Sequence, residues 1–140
     1  MNILYCGDNN IIDGLIISIL SLINNTSCPL NIYILTMEYK ADKKICKPIT
    51  NKEIDKLKKE FDNIRKNINI YLFNISDIVN KNLPIANINT RFTPCCMLRL
   101  YADQINDIPN KILYLDNLFY RLSFLKNENH SYQEHLLNHF

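Results

Sequence analysis

Four short apolar runs constrain this chain more than any other feature. They are NILYC at residues 2–6, LNIYILTM at 30–37, NIYLFNI at 69–75 and ILYL at 112–115. Each is short and almost continuously apolar, the pattern of a strand buried on both faces rather than wetted on one. The segments between them have helical character. IIDGLIISILSLI at residues 11–23 is apolar on nearly every side, as a helix packed on a sheet is. TNKE at residues 50–53 has capping-box spacing, with Thr50 as N-cap and Glu53 reaching back. The helix it opens carries Ile54, Leu57, Phe61 and Ile64 at three- and four-residue steps. TPCCMLRLYADQI at residues 93–105 predicts a further helix, with Pro94 in the first turn, where a missing N–H is tolerated. The basic stretch before Thr50 and the polar stretch at 83–91 read as loops. Strands alternating with helices at this spacing predict an α/β fold, a Rossmann-like and mostly parallel sheet covered on both faces.

Composition narrows the function classes. A chain of 140 residues with a formal net charge of +2 is one domain with room for a core, and its small basic excess does not point to nucleic acid. The Lys-rich segments KADKKICK and KLKKEFDNIRK read as solvated faces, and no RNA- or DNA-binding motif accompanies them. The longest apolar segment falls short of the ~20 residues that span a bilayer and contains Asp13, so no transmembrane segment is expected. Five cysteines, an odd number without a CxxC pair, and no secretory signal predict a reducing, cytoplasmic setting without a disulfide framework. Only Gly7 and Gly14 are glycines, and neither GxGxxG nor GxxxxGK[ST] occurs. A dinucleotide fingerprint and a P-loop are thereby excluded.

The fourth apolar run delivers Asp116 to its carboxyl end, where open α/β sheets place their ligand chemistry. A divalent cation holding a diphosphate there asks for more than one hard oxygen from the protein. Position 118, the natural second donor, is Leu118. Asn117 is a poor substitute, because neighbouring side chains on an extended strand point to opposite faces.

Two stretches resemble a known family. NILYCGDNN with the following DGLIISILSL, and TPCCMLRLYADQINDIPNKILYLDN, are similar to the amino-terminal half of family 8 glycosyltransferases. These are GT-A-fold enzymes that transfer a hexose from a UDP-sugar to a saccharide acceptor with retention of configuration. The resemblance runs over residues 2–117 and implies a GT-A nucleotide-sugar-binding domain there, followed by a divergent, partly helical tail at 118–140. It implies that Asp8 and Asn10 bind the uridine, with the backbone of Cys6 and Gly7 beside the base. Arg99 would face the diphosphate or donor sugar, and Asp116 would be the first aspartate of a D-x-D motif holding Mn²⁺ or Mg²⁺. Read without the family, Asp8 and Asn10 equally suit a turn that caps the next helix, and Arg99 a surface ion-pair residue.

Two departures accompany the likeness. Ile11 stands where the family commonly has an aromatic residue, and Leu118 replaces the second aspartate, which weakens or abolishes the cation site. Beyond Asn117 the resemblance stops, which points to a truncated or frame-shifted copy and leaves a second reading open. In that reading the chain is a non-catalytic remnant, at most a weak nucleotide binder; an interaction module using the tail is a third. The tail histidines His130, His135 and His139 inherit no family role. Cys95 and Cys96 read as a buried, inert pair. A parallel sheet ending after four strands would leave an apolar edge open to self-association.

Overall fold

The computed structural model describes residues 1–41, 44–82 and 94–116. The polar loop at 83–91, Asn117, Leu118 and the tail with its three histidines lie outside the described residues. The strands are β1 (Asn2–Cys6), β2 (Leu30–Thr36), β3 (Tyr39–Ala41), β4 (Lys44–Cys46), β5 (Ile68–Asn74) and β6 (Leu113–Tyr114). The helices are α1 (Ile12–Asn25), α2 (Asn51–Ile64) and α3 (Ser76–Asn82), with 3₁₀ segments at Asn9–Ile11 and Pro94–Gln104. Four strands form one sheet in the order β5-β2-β1-β6, and every pairing in it is parallel. The chain is therefore an α/β protein with a Rossmann-like parallel sheet.

The order explains the layering. From β1 the chain steps outward to β2 and then β5, and two right-handed crossovers in one direction place their helices on one face. That face is a single apolar cluster in which Ile3, Tyr5, Ile32 and Ile34 of the sheet meet Leu15, Ile16 and Ile19 of α1 and Ile54, Leu57 and Phe61 of α2. The return from β5 across β1 to β6 runs the other way, so its connection covers the opposite face. There Leu4, Cys6, Tyr33 and Leu35 pack against Val79 of α3 and Cys95, Leu98 and Tyr101 of the second 3₁₀ segment. Alternate residues of β1 and β2 thus go to different cores, and both sets are buried, as their unbroken apolar sequence requires. One polar pair sits in the first core: the Tyr5 hydroxyl hydrogen-bonds Ser18 Oγ at 2.6 Å.

Local chemistry sets the element ends. The capping box at α2 is formed: Thr50 Oγ1 accepts from the Glu53 amide at 3.3 Å, and the Thr50 amide donates to Glu53 Oε2 at 2.7 Å. Three of the four apolar residues expected on its inner stripe are buried, whereas Ile64, on the last turn, is 38% exposed. At the amino end of the sheet, Asn2, Asn31 and Asn69 share one register and form a ladder of side-chain amides. Asn69 Nδ2 donates to Asn31 Oδ1, and Asn31 Nδ2 donates to Asn2 Oδ1, both at 2.9 Å. Asn2 Nδ2 then donates to the Lys111 carbonyl at 3.1 Å, linking the ladder to the segment entering β6.

Four expectations are corrected. The two edge strands are not buried on both faces: Tyr71 of β5 and Leu113 of β6 are 43% and 49% exposed, because each has a neighbouring strand on one side only. The basic stretch before Thr50 is not loop throughout but contains an antiparallel hairpin, β3 with β4. The helix expected over 93–105 is 3₁₀ along Pro94–Gln104. Beside Pro94, its buried residues Cys95, Leu98 and Tyr101 recur every third position, and in a three-residue turn such positions eclipse on one side. The fourth strand is also short, with two residues in the ladder where four were expected.

Candidate functional site

β1 is the switch point of the sheet, because the chain leaves it toward β2 on one side and arrives beside it as β6 on the other. Parallel α/β sheets form a crevice at the carboxyl end of such a point. The residues that follow β1 and β6 therefore stand at this edge together. Leu4 lies opposite Tyr114, and the Leu115 amide donates to the Leu4 carbonyl at 3.0 Å. One further pair of steps brings Asp116 level with Cys6.

The turn after β1 is tightly organised. The Gly7 amide donates to the Leu35 carbonyl at 3.0 Å, carrying β1's pairing with β2 one residue further. A Cβ on Gly7 would lie 2.6 Å from Ile11 Cδ1 and 2.7 Å from Cγ2, so a larger residue there must displace the Ile11 side chain folded over it. Asp8 is the N-cap of the first 3₁₀ turn. Its Oδ1 accepts from the Asn10 amide at 3.2 Å and its Oδ2 from Asn10 Nδ2 at 3.0 Å. The capping role open at the level of sequence is thus formed here. Asp8 is only 7% exposed, while Asn10 is exposed. Of the acid–amide pair, the amide residue meets solvent and the acid faces inward.

Inside the corner Asp8 meets two thiols that no sequence spacing links to it. The Asn9 amide donates to the Lys47 carbonyl at 2.9 Å, which pins the strand end carrying Cys46 beside Asp8. Cys95 enters from the first turn of the 3₁₀ segment beneath β1. A carboxylate oxygen of Asp8 and the Sγ atoms of Cys46 and Cys95 all lie within 4.8 Å of one another, and all three residues are buried. Such a group is able to hold a metal ion. Burial raises both thiol pKa values; Cys95 hydrogen-bonds Cys46, which opposes the rise at Cys46 and adds to it at Cys95.

The β6 side of this edge is more exposed. The Arg99 guanidinium lies 5.1 Å from the centre of the Tyr114 ring, and Arg99 is exposed while Asp116 is half-buried. Burial pushes the Cys6 thiol up to about 12, with Arg99 pulling it back and Cys96 and Asp116 adding to the rise. Burial likewise raises the Tyr114 hydroxyl, against a hydrogen bond from Arg99. Burial thus disfavours the thiolate, the reactive form, at both Cys6 and Cys95. The expected site residues Cys6, Gly7, Asp8, Asn10, Arg99 and Asp116 all lie along this carboxyl edge, but they divide into two corners. Asp8 turns into the thiol corner, and Arg99 and Asp116 belong to the exposed one.

Among the described residues, neither corner gathers the several oxygen donors that Mn²⁺ or Mg²⁺ takes. Asp116 belongs to no cluster of three acid, thiol or imidazole donors among the described residues. The Asp8 corner offers two sulfurs to one oxygen, where hard cations want oxygens alone. Sequence reasoning missed the Cys46–Cys95 approach altogether. The signals available were an isolated cysteine in a basic stretch and a three-residue row of buried positions. Among the described residues no helix is long and apolar enough to cross a membrane. No family model matches this chain, and no curated protein or solved structure matches it either.

Proposed function

We propose that the chain binds the diphosphate of a UDP-sugar at the carboxyl ends of β1 and β6, as the donor half of a family 8-type retaining hexosyltransferase acting on a saccharide. The observation that carries this reading is the position of Asn10, Arg99 and Asp116 along the edge of a topological switch point. Arg99 supplies a fixed positive fork suited to phosphate oxygens. The Asn10 amide, held by the Asp8 carboxylate, reads the pyrimidine edge. The backbone of Cys6 and Gly7 floors the base. Asp116 alone is a weak anchor for a hard cation, so the diphosphate charge rests on Arg99 rather than on Mn²⁺ or Mg²⁺.

A second reading, a non-catalytic nucleotide binder, is favoured by the inward turn of Asp8 and by Leu118 in place of the second aspartate. Calorimetric titration with UDP-glucose and UDP-galactose, with and without Mn²⁺, separates the two when a transfer assay is run beside it. Binding by the wild type that Mn²⁺ does not strengthen, lost in Arg99→Ala, is the expected result. A Leu118→Asp variant should gain a Mn²⁺ dependence, and sugar transfer by either protein supports the enzyme reading over the second. Failure of both wild type and Leu118→Asp to bind either UDP-sugar contradicts the nucleotide site itself.

A further inference from the structure

We propose that Asp8, Cys46 and Cys95 form a buried site for a soft divalent cation, Zn²⁺ in the first instance, which clamps the β3–β4 hairpin to the main sheet. The proposal stands independently of the nucleotide reading. Its basis is the convergence of three donors from separate parts of the chain, the turn after β1, the end of β4 and the start of the 3₁₀ segment. Two sulfurs and one carboxylate oxygen are the donor set of zinc rather than of Mg²⁺ or Mn²⁺. Their mutual separations of no more than 4.8 Å come within about 1 Å of the ligand–ligand spacing around a tetrahedral ion with Zn–S bonds of about 2.3 Å, a difference that side-chain rotation spans.

The charge balance leaves the net charge of the corner unchanged. Without metal the group is two neutral thiols and one carboxylate. Zn²⁺ takes the sulfurs as thiolates and one carboxylate oxygen, and two protons leave to solvent. One negative charge remains in either state, so the ion enters this buried corner without adding net charge to it.

The clamp has a structural purpose that the fold displays. β3 and β4 form their own two-stranded sheet, separate from the four-stranded one. Hydrogen bonds that join their flank to the main sheet include the Asn9 amide to the Lys47 carbonyl and the Ile49 amide to Thr36 Oγ1 at 3.0 Å. Cys46 is the residue of β4 that enters the second core. A metal bond there would cross-link hairpin, turn and 3₁₀ segment at a single point. It would also fix Asp8, and through it the amide of Asn10.

The test is Zn²⁺ titration of the reduced full chain in competition with a chromogenic chelator, with Co²⁺ as an optical probe. One equivalent should bind, and Co²⁺ should show tetrahedral bands with sulfur-to-metal charge transfer from two thiolates. Cys46→Ser, Cys95→Ser and Asp8→Asn should each weaken Zn²⁺ by more than the roughly 10–100-fold typical of losing an outer-shell partner. Cys96→Ser, Cys28→Ser and Asp116→Asn should leave the affinity unchanged. If Cys46→Ser fails to fold by circular dichroism, Cys46→His keeps a nitrogen donor and should bind Co²⁺ with one thiolate fewer. Wild-type affinity in Cys46→Ser would overturn the assignment. So would equal losses in Cys95→Ser and Cys96→Ser, the mark of simple chelation by adjacent thiols, or an absence of stoichiometric binding.

Discussion

The two ends of the central sheet are built from the same strands and finish in opposite ways. At the amino end, Asn2, Asn31 and Asn69 satisfy one another in register and pass the chain of bonds on to the Lys111 carbonyl. At the carboxyl end, the turn after β1, the end of β6, the end of β4 and the 3₁₀ segment bring acids, an amide, a guanidinium and buried thiols around a switch point. A parallel sheet gives both ends the same spacing, so the difference lies in the side chains. The first end spends its polar groups on itself. The second turns one acid inward and leaves Arg99 and Asn10 facing water. Structure is closed at one end and chemistry is offered at the other.

The comparison is broken most forcefully at Leu98, which is fully buried and docks the 3₁₀ segment under the carboxyl end. Leu98→Ala should lower stability by about 2–5 kcal/mol in denaturant unfolding, through lost burial and the cavity left behind. Gly7→Ala comes next. Its new methyl collides with Ile11 and should cost about 1–3 kcal/mol. Combining it with Ile11→Ala should recover part of that loss, because the collision then has no partner.

Alkaline pH gives a third contrast. Cys6 titrates near 9.0 when unfolded and near 12 when folded, so its proton is bound more tightly in the native state. Its contribution to stability is fully present below pH 9 and is lost as pH rises toward 12. Melting temperatures measured across that window should fall more steeply for the wild type than for Cys6→Val. Equal slopes would show that Cys6 is solvated.

Smaller effects come from the amino end and from the exposed corner. Asn31→Ala removes two ladder bonds from a half-buried residue and should cost about 1–2 kcal/mol by the same unfolding measurement. Arg99→Ala should change stability by no more than the roughly 0.5–1 kcal/mol of an exposed cation–π contact. It should nevertheless abolish UDP affinity. Leu98 and Arg99 are neighbours in sequence with opposite expected phenotypes, one on folding and one on binding.

The strands were readable because a short apolar run leaves little choice of environment; β1 and β2 are buried on both faces as that pattern asks, whereas the edge strand β5 exposes Asn69 and Tyr71 on one face. The cap of α2 was readable because Thr50 and Glu53 interact within four residues. The β3–β4 hairpin was not, since its strands are three residues each and charged positions interrupt them. The 3₁₀ geometry was hidden by composition that suits either helix, although the row of Cys95, Leu98 and Tyr101 carried its period. The carboxyl edge was legible as a set of residues, because strand ends are local features. Its division into two corners was not: Cys46 and Cys95 are joined only by tertiary packing, and the direction in which Asp8 turns depends on both.

The central claim is that the carboxyl end at the switch point, and not the asparagine-laced end, receives a nucleoside diphosphate. A titration of ¹⁵N-labelled protein with UDP, followed by amide NMR shifts, addresses it directly. Saturable shifts should gather at residues 6–11, around Arg99 and at 114–116, and leave Asn2, Asn31 and Asn69 in place. Shifts confined to the asparagine end, or none at saturating UDP, would contradict the account.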